Sequence, residues 1–307
     1  MNKRVTNQAA SVHQRLLNLA RNSGRPFNDL LQFYAIERFL YRLAQSRHQD
    51  RLVLKGALML LVWKTPITRP TRDIDLLGRM SNDLEAVRAV VADICGQPVE
   101  EDGLLFDPAT VTTERIAEDA DYKGVRARFQ GHLGKARIAM QIDLGFSDVI
   151  TPAPVAISYP AMLGHASADL MAYSRETVIA EKLEAMVSLS QLNSRMKDFF
   201  DLWLLARTQD FEGQVVAEAI SRTFACRQTA VAIDPICFTD AFANDPAKIA
   251  QWAAFIRNGK LSGTPARFGE VTAAVRDFLR PVIEVVAGNG KFSAQWRAAG
   301  PWERKSS

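Results

Sequence analysis

Two aspartates on one strand, Asp73 and Asp75, have the clearest potential for chemistry in this chain. The segment 71–77, TRDIDLL, alternates polar and apolar residues, so both carboxylates lie on one face and Ile74 and Leu76 on the other. Two carboxylates this close repel each other unless a cation lies between them, and carboxylate oxygens are ligands that Mg²⁺ prefers. The spacing predicts a divalent-cation site, with an acidic surface patch as the alternative.

Segments on both sides of this pair in sequence fit the same chemistry. Upstream, the apolar run 52–54 predicts a strand, and Gly56 turns the chain into a helix over 57–63. A glycine there lets the backbone approach a phosphate closely, and the N–H groups that open the helix suit an anion, although a plain turn is the alternative. Downstream, a strand over 135–146 carries Asp143, a third carboxylate.

The order of strand, glycine turn, helix, Asp-x-Asp and third strand carboxylate is that of the nucleotidyltransferase superfamily of the DNA polymerase β type. Within it, the chain resembles the AbiEii/AbiGii toxin family, which includes the MenT toxins. The four motifs of that family are matched by LKGALML (54–60), RPTRDIDLL (69–77) with QIDLGFSD (141–148), ETVIAEKLEAMV (176–187) and SRMKDFFDLWLL (194–205). The resemblance runs from about Leu52 to Leu205.

The resemblance implies a metal and nucleotide site. Asp73, Asp75 and Asp143 would hold Mg²⁺ or Mn²⁺, with the first two bridging the metal to the phosphates of an NTP. Asp143 would also deprotonate or orient the attacking hydroxyl. The residues that would bind the nucleotide are Lys55, Gly56, Ala57, Arg72 and Lys182.

Two of these nucleotide-binding positions carry open questions. Ala57 stands where the family usually has Ser or Gly, so phosphate contacts there would come from backbone N–H groups. Arg72 either neutralises a phosphate or screens the two neighbouring carboxylates.

The last two motifs lie on predicted helices. Lys182 is at the edge of an apolar stripe, from which it extends to solvent or, by resemblance, reaches the nucleotide phosphates. Over 195–207, Arg195, Asp198 and Asp201 share one flank and form either an intrahelical salt-bridge ladder or part of the site. By resemblance Asp198 is a catalytic acid that orients Lys182 or the acceptor, and Asp201 supports the helix.

The pattern of elements predicts an α/β (α+β) fold in three parts. These are an N-terminal helical segment over 1–50, a nucleotidyltransferase core with a mixed sheet over 51–160, and a C-terminal helical domain over 161–307. The core strands are expected at 52–54, 71–77, 104–106, 111–117, 122–131 and 135–146, with the last two as an antiparallel hairpin, and 151–160 as a connection or edge strand.

Composition excludes several other classes. The chain has 307 residues, 48% of them hydrophobic and 23% charged, which is typical of a globular protein. It has no apolar run long enough to span a membrane, and its four histidines lack zinc-site spacing. The three cysteines form no Cys-x-x-Cys pair, which favours a reducing, cytoplasmic location.

Positive charge is concentrated near the N-terminus. Residues 1–50 hold eight Lys and Arg, including Lys3 and Arg4, against three Asp and Glu. Together with the predicted hairpin residues Arg126, Arg128, Lys135 and Arg137, these cations fit a surface that follows a phosphate backbone. The resemblance implies an RNA acceptor, most plausibly a tRNA 3′ end, and a cognate antitoxin protein in a toxin–antitoxin or phage-defence system.

Two alternatives remain at this point. A small-molecule nucleotidyltransferase of the antibiotic-modifying type would use the same metal site without affinity for RNA. A non-catalytic module on the same fold, which Ala57 favours, would bind RNA or a protein and tolerate loss of Asp73 or Asp75. The sequence does not specify the base of the NTP, the acceptor, the antitoxin or the oligomeric state.

Overall fold

The computed structural model describes residues 7–66, 69–117 and 123–304. Their contacts divide the chain into two compact units. The first comprises the described residues of 1–63, 70–147 and 155–172, and the second those of 64–69, 148–154 and 173–307. Each unit is therefore built from three separate stretches of chain.

The first unit contains both helices and strands. Its described helices are α1 (Gln8–Ser23), α2 (Phe27–Gln45), α3 (Met59–Val62) and α4 (Leu84–Cys95). Its described strands are β1 (Leu52–Lys55), β2 (Asp73–Gly78), β3 (Leu104–Ala117), β4 (Lys123–Leu133), β5 (Ala136–Gly145), β6 (Val155–Tyr159) and β7 (Ala168–Ala172). This confirms the predicted α/β fold.

The seven strands form one mixed sheet in the order β3-β4-β5-β2-β1-β7-β6. Strands β2 and β5 pair in parallel, as do β1 and β7, and the remaining pairs are antiparallel. The predicted mixed sheet and β4–β5 hairpin are confirmed, and β6 lies at an edge as proposed for the Pro-containing segment.

The two faces of the central strands have different chemistry because side chains alternate along a strand. One face is apolar: Ile74, Leu76, Ile142 and Leu144 are buried in a core to which α2 and α4 contribute. The polar residues of β2 and β5, including all three predicted carboxylates, therefore project from the opposite face.

The second unit is mainly helical. Its described helices are α5 (Arg175–Leu189), α6 (Met196–Thr208), α7 (Gly213–Cys226), α8 (Asp240–Ala243), α9 (Pro246–Gly259) and α10 (Phe268–Ala287). Its described strands, β8 (Phe211–Glu212), β9 (Ala294–Trp296) and β10 (Trp302–Arg304), form a small antiparallel sheet. Trp302 stacks on Phe278 of α10 with ring centroids 5.6 Å apart, so this segment belongs to the packing of the unit.

Several local features differ from the predictions. The helix expected over 57–63 is a 3₁₀ turn, Gly56–Leu58, followed by the single turn α3. Strands β7 to β10 were not predicted, because segments of two to five residues are too short for a periodic pattern. Tyr122, expected at the start of the hairpin, lies outside the described residues.

The two units cross the predicted domain boundaries. Helices α1 and α2, from the predicted N-terminal segment, pack within the first unit. The boundary at residue 160 falls between β6 and β7, which are hydrogen-bonded neighbours.

Among the described helices, none has the length and apolar character needed to cross a bilayer.

Candidate active site

Three carboxylates meet on the polar face of the first unit's sheet. Asp75 is the register partner of Asp143 across the parallel β2–β5 pair, and Asp73 is the partner of Gln141. Neighbouring strands lie about 4.8 Å apart, so Asp73, Asp75 and Asp143 occupy one small area. Asp73 and Asp75 are partly exposed, whereas Asp143 is buried.

The turn after β1 fits closely against this area. Gly56 has φ +77°, in the left-handed region that favours glycine, and an ideal Cβ placed on it would lie 2.0 Å from Oδ2 of Asp75. Any side chain here would displace the Asp75 carboxylate. Both its backbone conformation and its close contact with Asp75 therefore favour glycine at position 56.

The other predicted nucleotide-binding residues of this unit have different environments. Lys55 is buried and is the register partner of Asp75 across the antiparallel β1–β2 pair. Ala57 is buried in the 3₁₀ turn, where its methyl group packs inward. Arg72 is exposed, immediately before Asp73. Among these three residues, Arg72 is the one that presents an exposed cation beside the carboxylates.

Arg126 on β4 forms a bidentate ion pair with Asp143. Its Nε donates to Oδ1 and its Nη2 to Oδ2, both at 2.7 Å. These hydrogen bonds raise the pKa of Arg126, burial partly opposes the shift, and the carboxylates of Asp73 and Glu114 add to it. Arg126 therefore interacts electrostatically with the acidic area and not only with its direct partner.

The donor set fits a hard divalent cation on one condition. Asp73 and Asp75 supply carboxylate oxygens on one face, the type of ligand that Mg²⁺ and Mn²⁺ prefer. Within the described ranges, no three His, Cys, Asp or Glu side chains form a ready-made metal centre. Asp143 completes a three-carboxylate set only if its oxygens are shared with Arg126 or released from it.

The two helical motifs place a second charged group in the other unit. Lys182 of α5 donates through Nζ to Oδ1 of Asp198 at 2.7 Å and lies 2.8 Å from Oδ2 of Asp201. Arg69 donates to both oxygens of Asp201, at 2.9 and 3.1 Å. Lys182 is therefore a largely buried ion-pair residue that does not extend to solvent, and it contacts Asp198, the residue that the resemblance implied would orient it.

Opposite charges set the ionisation of this group. Burial works against the charged form of Lys182, but Asp198 and Asp201 outweigh it and raise the pKa of the ammonium group. Burial likewise works against ionised Asp201, but Arg69 and Lys182 lower its pKa to about 2. Lys182 and Asp201 are therefore held in their charged forms, because the opposite charges around each of them compensate its burial.

Sequence reasoning missed Arg69 and Arg227. Arg69 precedes the Asp-x-Asp motif, and no local pattern indicates that it pairs with Asp201, 132 positions along the chain. Arg227 donates to Glu184 at 2.7 Å and to Asp148 at 3.0 Å, and it also lies 3.8 Å from Glu181. Such pairs between distant segments leave no periodic signal in the sequence.

The predicted phosphate-binding surface is only partly present. Arg38 and Arg42 of the basic N-terminal segment are buried, and Arg42 forms an ion pair with Asp102 at 2.7 Å. On the hairpin, Arg128 binds Glu114 at 2.7 Å, whereas Lys135 and Arg137 are exposed. Lys3 and Arg4 lie outside the described residues.

Comparison with known proteins places this site in context. Two solved structures from Helicobacter pylori align with the chain, each at 14% identity. The structure of JHP933 has a TM-score of 0.45, and the alignment covers 93% of this chain and 94% of that chain. The structure of a protein described as a nucleotidyltransferase has a TM-score of 0.44, and the alignment covers 93% of this chain and 97% of that chain. No curated protein matches the sequence.

A match to a protein-family model covers most of the chain. A model of the nucleotidyl transferase AbiEii toxin of type IV toxin–antitoxin systems matches residues 38–279, which include every predicted site residue. Membership of such a system implies a cognate antitoxin. The chain belongs to the AbiEii family of toxin nucleotidyltransferases.

Proposed function

We propose that this enzyme transfers a nucleoside monophosphate from an NTP to a hydroxyl at the 3′ end of a tRNA, in a reaction that depends on Mg²⁺ or Mn²⁺. It would act as the toxin of a toxin–antitoxin or phage-defence system. The observation that carries the proposal is the placement of Asp73, Asp75 and Asp143 on one face of adjacent strands, with Asp75 and Asp143 in register.

The proposed reaction uses these three carboxylates. The acceptor oxygen forms a bond to the α-phosphorus of the NTP, and the bond from that phosphorus to the bridging oxygen of the β-phosphate breaks, so pyrophosphate leaves with the electron pair. A divalent cation supplies neutralisation of the charge on the phosphoryl oxygens. Asp73, Asp75 and Asp143 would hold the cation, and Asp143 would also orient the hydroxyl and receive its proton.

The chain's cations have separate roles in the proposal. Backbone N–H groups after Gly56, together with Lys55 and Arg72, bind phosphate oxygens. The ammonium group of Lys182 has three N–H donors, of which Asp198 and Asp201 engage two, and the third binds a phosphate oxygen. Asp198 fixes the position of this ammonium group.

Two features support an RNA acceptor. The chain has a net charge of +4, and Arg15, Arg21, Arg25, Lys135 and Arg137 are exposed on the first unit. Exposed cations bind phosphates in a salt-dependent way that does not depend on base sequence. Affinity for RNA should therefore fall as the salt concentration rises.

Incorporation of label tests the proposal. Purified protein is incubated with Mg²⁺, each α-labelled NTP in turn and total RNA, beside Asp73→Asn and Asp75→Asn variants. A matched control is Glu85→Gln, since Glu85 is an exposed carboxylate on α4 paired with Arg88. We expect label in a tRNA-sized band with the wild type and the control, and loss of label in both aspartate variants.

The other outcomes separate the alternatives. Pyrophosphate release that requires Asp73 and Asp75 but labels no RNA would indicate a small-molecule acceptor. RNA binding with no turnover for any NTP, unchanged in the aspartate variants, would indicate a non-catalytic module. Either result would contradict the proposal.

A further inference from the structure

The ion pair between Arg126 and Asp143 occupies both oxygens of a proposed metal ligand. The two N–H···O contacts are 2.7 Å long, and the side chains of Arg126 and Asp143 are 28% and 12% exposed. A bidentate guanidinium–carboxylate pair is among the stronger contacts in proteins. In this state Asp143 is bound to an internal cation.

The neighbours of this pair show why a cation is needed there. Asp75 lies beside Asp143 in register, and Asp73 lies on the same face two residues before Asp75 along β2. Three carboxylates on one small area repel one another unless positive charge compensates them. Arg126 supplies such a charge from β4, where it is the cross-strand partner of Asp143.

We infer that Arg126 holds the place of a divalent cation at Asp143 and that metal binding must displace its guanidinium group from that carboxylate. This inference rests on the metal site of the proposed function. A guanidinium group does not lose its proton in proteins, so it cannot give up the carboxylate by neutralisation and has to move. Its long side chain is partly exposed, which leaves it room to do so while its backbone stays in β4.

Competition of this kind makes a specific prediction about metal affinity. Removing the guanidinium removes the competitor, so the metal should bind more tightly in the absence of nucleotide. We expect an increase of about tenfold in affinity, which corresponds to about 1.4 kcal/mol.

The test is a Mn²⁺ titration of the full chain without nucleotide. Binding is measured by electron paramagnetic resonance of free Mn²⁺ and, separately, by calorimetry. The variant is Arg126→Gln, and the matched control is Arg128→Gln. Arg128 lies two residues away on the same face of β4, and it binds Glu114 and Gln141 instead of Asp143. Both variants lose one positive charge, but only Arg126→Gln releases the carboxylate.

We expect Mn²⁺ to bind Arg126→Gln about tenfold more tightly than the wild type, with Arg128→Gln within about twofold of it. An Arg126→Lys variant, which keeps the charge without the two-pronged contact, should fall between them and guards against misfolding of the glutamine variant. Equal tightening in both glutamine variants would show a general charge effect and overturn the inference. Unchanged or weaker binding in Arg126→Gln would also overturn it.

Two further variants distinguish this failure from failure of the metal site itself. Asp73→Asn and Asp75→Asn should each weaken Mn²⁺ binding. If neither does, the metal site is wrong and both proposals fall. If both do while Arg126→Gln has no effect, only the displacement of Arg126 is refuted.

Discussion

Replacing Gly56 with alanine tests how closely the turn after β1 is fitted to the Asp75 carboxylate. The substitution adds one methyl group at a position where the nearest atoms are Oδ2 of Asp75 at 2.0 Å and its Cγ at 2.7 Å. Such distances are below van der Waals contact, so the carboxylate or the turn must move. The same residue must also keep a φ of +77°, which an alanine rarely adopts.

The two effects have separate magnitudes. A left-handed conformation costs a residue with a Cβ about 1–2 kcal/mol, and an overpacked site costs about 1–3 kcal/mol more. Gly24, which has φ +67° and nothing within 4 Å of an added Cβ, provides the matched control. Gly24→Ala should show only the first effect, so Gly56→Ala should be the more destabilising by about 1–3 kcal/mol.

The assay is urea denaturation of both variants, combined with Mn²⁺ titration. Gly56→Ala should weaken Mn²⁺ binding because Asp75 is displaced, and Gly24→Ala should not. A double-mutant cycle with Asp75→Ala, which removes the two closest atoms, should give a coupling free energy of at least about 1 kcal/mol. Equal destabilisation by the two alanine variants, with no coupling to Asp75, would refute the contact between Gly56 and Asp75.

Three further predictions concern buried and exposed charges. Burial raises the pKa of Glu37 to about 7 from an ordinary value of 4.5, so the folded protein binds more protons than the unfolded chain between these values. The free energy of unfolding should fall by at most about 3 kcal/mol as pH rises from 4.5 to 7, and Glu37→Gln should remove this slope in denaturation curves. The pKa of Asp201 is lowered from 3.8 to about 2, so its effect on the pH dependence of stability has the opposite sign. Ionised Asp201 contributes about 2 kcal/mol to the free energy of unfolding above pH 3.8, and this contribution is lost as the pH falls through 2. Denaturation curves of the wild type between about pH 5 and pH 2 should show the loss. Asp201→Asn should cost about 3–5 kcal/mol at pH 7, because it removes the buried partner of the largely buried cations Lys182 and Arg69. Arg128→Gln, at an exposed pair, should cost less than about 1 kcal/mol. Equal costs in urea denaturation would contradict this difference in burial.

Local patterns in the sequence were sufficient for much of the fold. Alternation over 71–77 and 135–146 predicted the strands that carry the carboxylates, since a half-buried strand must alternate. The parallel pairing of β2 and β5, which brings Asp75 beside Asp143, was not predictable from either segment because it depends on the register of distant strands. Family resemblance, and not periodicity, brought these residues into one predicted site.

The ion pairs explain where the residue-level interpretation was incomplete. Arg126 was assigned to a phosphate-binding surface because an arginine on a strand has no local signal that distinguishes a solvent contact from a buried partner. Its partner Asp143 lies 17 positions away on the next strand. Lys182 was likewise expected to reach solvent or a phosphate, and its pairing with Asp198 depends on the packing of α5 against α6.

The interleaving of the two units along the chain determines the order in which they can be completed during synthesis. All of the first unit's residues precede position 173, so its sheet can form while the C-terminal helices are still being made. The short stretches 64–69 and 148–154 emerge early but carry Arg69 and Asp148, whose partners Asp201 and Arg227 come later. A single cut at residue 172 would therefore leave each fragment with unmatched charges, and the two units cannot be separated by truncation. Lys182 can reach its ion pairs only after residue 201 has been made, so this charged group assembles later than the sheet of the first unit.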